Sequence, residues 1–132
     1  VRETEFVVGG YAFGGRKRET FSSLLLGLFH KEANFVFVGE VSVGIPRSVA
    51  TGMYEILKGL HITECPFDSV PEVSRFLYWC QPEIVCKIEY GEFTEAGRIV
   101  YPVFKALRED KSPAECILAD APGWPSILAG FV

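Results

Sequence analysis

The sequence predicts an all-β fold, a five-stranded Greek-key barrel with one helix between the third and fourth strands and a short helix near the C-terminus. Three observations lead there. Short apolar runs recur along the chain, bounded by glycine, proline and polar clusters. A single stretch carries a helical period, and it falls between the third and fourth of those runs. The cleanest alternation follows it, with Ile84, Cys86, Ile88 and Tyr90 on one face and Val85, Lys87 and Glu89 on the other.

The elements follow in order. Glu5 to Tyr11 is β-rich and ends before the Gly14-Gly15 pair. Phe21 to Phe29 and Phe35 to Val43 form the second and third runs, joined through the polar connection His30-Lys31-Glu32-Ala33-Asn34. Ser48 is the expected N-cap of the helix, whose apolar face is Val49, Met53, Ile56, Leu57 and Leu60; Gly59 is the expected stop after Lys58. Residues 61 to 75 lack a period and contain Pro66 and Pro71, which reads as loop. Phe76 to Cys80 is a short strand, followed by the alternating one. Glu95-Ala96-Gly97 turns the chain into the run Arg98 to Leu107. Ser112-Pro113-Ala114-Glu115 is a capping box with proline at the first helical position, so a short helix starts at Pro113. This order is that of the oligonucleotide-binding (OB) fold. Another small barrel or an α+β roll fits the periodicities nearly as well.

A chain of 132 residues is one domain's worth. The OB domain is expected over 1–118, with an apolar tail of unassigned role over 119–132. No run approaches the roughly 18 to 20 apolar residues of a membrane helix, and no N-terminal signal segment is legible. The expectation is a cytoplasmic protein, nucleoid-associated if prokaryotic, with no membrane partner. The chain does not begin with Met, so it is expected to be part of something longer. A net charge of −4 argues against a free-standing, tight nucleic-acid binder. Cys65, Cys80, Cys86 and Cys116 show no CxxC pairing, and with His30 and His61 they give no zinc spacing. They read as reduced structural thiols; a Cys80–Cys86 disulfide is open to neighbouring strands but not demanded. No metal site is expected.

Two clusters could carry chemistry. In Leu107-Arg108-Glu109-Asp110-Lys111-Ser112-Pro113, two cations and a carboxylate meet at the junction of a strand and a helix N-terminus, which suits phosphate or pyrophosphate. From spacing alone a solvated charged turn is the more ordinary reading. Gly14-Gly15-Arg16-Lys17-Arg18 sets three cations in the loop joining the first two strands, where OB-folds often meet nucleic acid; a solubilising loop fits as well. The strand aromatics Phe6, Phe21, Phe29, Phe35, Phe37 and Tyr90 read as core, and Trp79 as a structural plug. Tyr11 and Phe13, flanking the glycines, are the better candidates for exposure as stacking rings. His30 and His61 read as a hairpin and a loop residue.

Taken in order, several segments resemble the OB domain of ATP-dependent DNA ligases. Arg18-Glu19-Thr20-Phe21-Ser22-Ser23-Leu24-Leu25-Leu26-Gly27 resembles that family's second strand. Phe37-Val38-Gly39-Glu40-Val41 resembles the next strand, and Pro66-Phe67 an element of the loop after the helix. Trp79-Cys80-Gln81-Pro82-Glu83-Ile84-Val85-Cys86-Lys87-Ile88 resembles the fourth strand. Pro102-Val103-Phe104 leads into Leu107 to Pro113, which is similar to the family's final motif. The resemblance runs from about Glu5 to Glu115 and is nearest to bacterial and archaeal ligases of the end-joining type.

The resemblance implies a domain that closes over ATP, with Arg108 and Lys111 orienting its β- and γ-phosphates and Asp110 holding one of these cations. It also implies a later contact with nicked double-stranded DNA through Arg16, Lys17, Arg18 and Ser23. ATP and Mg2+ would serve the whole ligase, with none bound by the isolated domain. The lysine-x-aspartate-glycine nucleophile motif is absent from the sequence. The nucleotidyltransferase domain that carries it is therefore expected upstream as the partner, and the chain alone should not catalyse ligation. Two positions depart from the family. Glu40 places an acid where a phosphate-facing cation is implied, and Ser22 replaces a glycine. The competing readings are a stand-alone single-stranded nucleic-acid-binding OB module and the equivalent domain of an RNA ligase or capping enzyme. The acidic charge and the final motif weigh against the first, and the Phe21 to Gly27 segment favours a DNA ligase over the second.

Overall fold

Strand β1 (Arg2–Phe13) is the axis of the sheet, paired antiparallel with β2 (Ser23–His30) on one side and β5 (Phe76–Tyr90) on the other. The computed structural model describes residues 1–14, 20–31, 34–72 and 76–125. Beyond β2 lies β3 (Asn34–Val41). The outer edge of β5 is shared by the two-residue β4 (His61–Ile62) and by β8 (Val103–Arg108). A small hairpin, β6 (Glu92–Phe93) and β7 (Ile99–Val100), joins β5 to β8.

The five expected barrel strands are thus β1, β2, β3, β5 and β8, in OB order. Among the described residues no ladder joins β3 to β8. Instead the Phe104 N–H donates to the Val43 carbonyl (2.8 Å) just past the end of β3. The backbone passes this seam so closely that a Cβ on Gly44, which sits at φ +88°, would lie 2.7 Å from the Phe104 carbonyl oxygen.

The sequence predicts a short strand over Phe76 to Cys80 and a separate alternating strand after it, whereas β5 is one strand of 15 residues. The apparent break is Pro82, which cannot donate to a ladder. The β1–β5 register steps from Val8↔Ile84 to Gly10↔Trp79, so Gly9 alone spans Cys80 to Glu83. Pro82 therefore sits in a bulge where no ladder bond is required of it. The adjacent Gln81 N–H turns outward to the Leu60 carbonyl (2.9 Å).

Helix α1 spans Arg47–Gly59 and buries Ala50, Met53 and Leu57. It begins before the expected cap. Pro46 is the N-cap, at φ −64° and ψ 144°, and Ser48 lies inside the first turn. Proline's fixed φ suits the helix entrance without a side-chain bond. The expected C′ glycine is also absent as such. Gly59 is the last helical residue, and the chain closes with the Leu60 N–H on Leu57 and Lys58 carbonyls. Ile56, assigned to the apolar face, is 45% exposed.

β2 is buried on both faces from Ser23 to Leu28. Inside lies the main core, with Phe6, Leu24, Leu26, Met53, Leu57 and Ile88. Outside, the loop after β4 crosses the sheet and lays Phe67 against Phe35, rings stacked 4.7 Å apart at 8°. The Asp68 N–H donates to the Phe35 carbonyl (2.8 Å) and anchors that crossing. Gly9 and Gly27 make room for it: a Cβ on either would fall 2.6 Å from a ring carbon of Phe67 or Phe35, respectively.

The expected capping box at Ser112 forms, its backbone N–H donating to Glu115 Oε1 (3.1 Å), but the helix is a single 3₁₀ turn, Pro113–Glu115. The chain then returns to the barrel. The Phe29 N–H donates to the Cys116 carbonyl (2.8 Å), Leu118 and Ala121 are buried, and Trp124 meets Phe93 edge-on at 5.2 Å. The Tyr90 hydroxyl donates to the Pro122 carbonyl. Up to Pro125 the apolar tail expected after residue 118 packs on the barrel, and that boundary lies at the 3₁₀ turn Leu118–Asp120. Ile127, Leu128, Phe131 and Val132 lie outside the described residues. The four cysteines are free thiols. Burial pushes Cys80 and Cys86 up to about 12 and Cys116 up to about 11, which keeps them protonated and unreactive at neutral pH.

Candidate functional site

Arg108 is the last residue of β8, opposite Val85 on β5. Position at a strand end matters, because the side chain leaves the sheet while its Cα is still held by the ladder. Two residues on, Asp110 grips it with both carboxylate oxygens: Arg108 Nε donates to Oδ1 (2.9 Å) and NH2 to Oδ2 (3.1 Å). This fork-to-fork geometry fixes the guanidinium plane as well as its position. Arg108 NH1 donates to Glu5 Oε1 on β1 (2.9 Å), and this pair is the better shielded, with side-chain exposures of 27% and 19%.

The hydrogen bond from Arg108 holds the Asp110 carboxyl below its usual range, helped by a bond from its own backbone and by the charges of Arg108 and Lys111. The same Asp110 bond raises Arg108 further, so the guanidinium is a permanent cation. Of the five N–H donors of an arginine, three are engaged by carboxylates, and two have no partner among the described residues. Lys111 lies half-buried after Asp110, without a direct hydrogen bond or ion pair among the described residues. Arg108 is a held, planar cation, and Lys111 is near enough for its charge to act on Asp110, so two cations stand at the end of β8.

The structure brings Arg108 and Asp110 together, a pairing that the resemblance implied and spacing alone did not. It adds Glu5, which the sequence reading missed. No local signal could have found it, since Glu5 reaches Arg108 only because β5 lies between β1 and β8 in register.

Arg16, Lys17 and Arg18 lie outside the described residues. Ser23, which the resemblance makes a candidate DNA contact, is fully buried, and its Oγ donates to Glu40 Oε2 (2.6 Å). Its backbone faces Ala12 on β1 while Glu40 faces Leu25 on β2, so the sheet register draws the hydroxyl towards the acid and away from solvent. Tyr11, expected to be exposed, is buried at 3%, and Phe13 is half-buried. Both rings are roofed by Tyr54 of α1 and Tyr78 of β5. Among the described residues no cluster of three histidine, cysteine or carboxylate side chains could hold a metal ion, and no helix is long and apolar enough to cross a membrane.

The antiparallel sheet, with its single helix between β3 and β4, defines an OB-type domain as the class. The family described as "ATP dependent DNA ligase C terminal region" matches residues 17–111, and the chain belongs to that family. Its relatives are of the end-joining type. It is 34% identical over 116 residues to the multifunctional non-homologous end joining protein LigD of Mycolicibacterium smegmatis, covering 86% of this chain and 15% of that protein. It is 32% identical over 130 residues to LigD of Pseudomonas aeruginosa, covering 96% of this chain and 15% of that one. The crystal structure of the ligase domain of M. tuberculosis LigD superposes with a TM-score of 0.79 at 30% identity, over 87% of this chain and 38% of that one. A mycobacterial DNA ligase D complexed with ATP and MES superposes with a TM-score of 0.75 at 30% identity, over 87% of this chain and 37% of that one. The chain thus spans about 15% of the length of these LigD relatives.

Proposed function

We propose that this chain is the OB domain of an ATP-dependent end-joining DNA ligase and serves two steps of the reaction in turn. In the first it closes over ATP held by the nucleotidyltransferase domain of the same protein. A lysine of that domain bonds to the α-phosphorus and pyrophosphate departs. The energetic need is to place the leaving group and to balance the negative charge that grows on it. Arg108 answers both needs, because Asp110 and Glu5 fix its direction while two of its donors stay unspent. Lys111 adds the second charge. Mg2+ would accompany the ATP phosphates, supplied to the assembled ligase rather than held by this chain. In the second step the domain turns another face to nicked duplex DNA, with Arg16, Lys17 and Arg18 contributing salt-sensitive phosphate contacts. Ser23 acts there indirectly, through its hold on Glu40.

The observation that carries this reading is the bidentate Arg108–Asp110 pair at the end of β8. The test is transfer of labelled AMP from ATP to protein, with this chain added to the separately expressed nucleotidyltransferase domain. The wild-type chain is expected to restore labelling, and Arg108→Ala and Lys111→Ala are expected to fail. Labelling that neither substitution changes would remove the final motif from the adenylation step.

A further inference from the structure

A second concave site lies away from Arg108. A cavity of about 610 Å³ opens between the end of β1, the last turns of α1, β4 and the start of β5. Its walls are rings. Tyr78 stacks on Tyr11, centroids 5.5 Å apart at 20°, while Phe13 and Tyr54 stand edge-on to these two. Tyr11 is buried, but Tyr78 is 44% exposed and Phe76, two residues earlier on the same face of β5, is 80% exposed. A core would hide such rings; here two of them present their outer surfaces to solvent side by side.

One cation stands at the rim, ion-paired with a carboxylate beside it. Lys58 is the single charged side chain lining the cavity among the described residues, and its ammonium sits 4.6 Å over the Tyr54 ring. Glu55 steadies it at 2.7 Å, which leaves part of its three-donor capacity open. His61, edge-on to Tyr78 at 6.0 Å, adds a ring nitrogen on the same side. Exposed aromatic surfaces beside a cation suit a ligand that is flat and apolar at one end and anionic at the other. Paired bases inside a duplex cannot offer a free face, whereas an unpaired nucleotide can.

We propose that this cavity takes an unpaired nucleotide at a DNA end, its base stacked on Tyr78 and Phe76 and its phosphate against Lys58. The inference deepens the DNA-engagement reading above and rests on it. The chain would then grip the frayed or overhanging strand beside a break as well as the duplex.

The test compares binding of two fluorescein-labelled duplexes, one nicked and blunt-ended, the other the same nicked duplex with a short thymidine overhang. For the wild-type chain the overhang should tighten binding by about tenfold, the scale of one stacked base. Phe76→Ala and Tyr78→Ala together should erase that advantage while leaving affinity for the blunt duplex unchanged, and Tyr78→Phe should retain it. Phe76→Ala alone, at a position already exposed, should lose part of the advantage and keeps the test valid if the double variant does not fold. An overhang that adds nothing in the wild type, or an advantage that survives both substitutions, overturns the proposal while duplex binding stands. A wild-type chain that binds neither duplex overturns the DNA reading itself. Binding of a proline-rich peptide that is lost in the double variant, with no overhang effect, would assign the cavity to a protein segment instead.

Discussion

Substituting Gly27 by alanine probes the double-sided packing of β2. The added methyl would lie 2.6 and 2.7 Å from two ring carbons of Phe35 and 2.8 Å from one of Phe67. Real Cβ atoms do not approach so closely, so either the rings or the strand must move. The rings have little room: Phe35 and Phe67 are stacked, both are buried, and Phe67 also meets Phe37 and Trp79 edge-on. Overpacking of this kind costs about 1–3 kcal/mol. With two rings involved the upper part of that range applies, so Gly27→Ala is expected to lose about 2–3 kcal/mol. A loss of about 2 kcal/mol is roughly a thirtyfold rise in the unfolding constant. The internal control is Gly52 on α1, where a Cβ would meet nothing within 4 Å. Gly52→Ala should gain about 0.5–1 kcal/mol from helix propensity alone. Urea unfolding followed by circular dichroism gives both values. The cause is isolated by repeating Gly27→Ala in a Phe35→Leu background, where removal of the ring should reduce the penalty by at least half. A Gly27→Ala variant as stable as wild type, or a penalty that Phe35→Leu leaves whole, would refute the account of the outer aromatic layer.

Three further outcomes follow from the same geometry. Asp110→Asn, which keeps the shape but loosens the grip on Arg108, should lower AMP labelling in the complementation assay by about ten- to a hundredfold, the scale of a small misplacement of a reacting group; Glu5→Gln should cost less, since it leaves the bidentate contact. Ser23→Ala, which removes one donor from the Glu40 carboxylate, should lose about 1–3 kcal/mol in urea unfolding and weaken binding to nicked duplex, and an unchanged affinity would remove Ser23 from the DNA step. The buried thiols Cys80 and Cys86 and the Tyr90 hydroxyl are all pushed up to about 12, mainly by burial. Their folded values lie above the unfolded ones, so the stability they contribute is complete below pH of about 9 and fades as pH rises towards about 12. Urea midpoints measured across that window should fall steadily, and a flat profile would contradict the burial of these groups.

The periods and end signals of the chain were legible without coordinates, because they depend on neighbours a few residues apart. Alternation from Ile84 to Tyr90, the apolar repeat through Met53 and Leu57, and the Ser112 to Glu115 capping box each became the element they encode. The strand order did not follow from the periods, which fit another small barrel or an α+β roll nearly as well; the ordered resemblance to the ligase OB domain is what implied it. Where local signals compete, they misled. Pro82 looks like the end of a strand until a bulge opposite Gly9 removes the need for its missing N–H, and Ser48 looks like a cap until Pro46 starts the helix first. The site divides the same way. Arg108 and Asp110 stand two residues apart, but that spacing fits a solvated turn as well, and it was the resemblance that implied their pairing. Glu5 joins them from 103 positions away through the β1–β5–β8 register, and Ser23 turns inward because β3 brings Glu40 beneath it. The cavity around Tyr78 gathers rings from four separate elements. Contacts of that kind depend on which strand lies beside which and in what register, and only the folded sheet decides them.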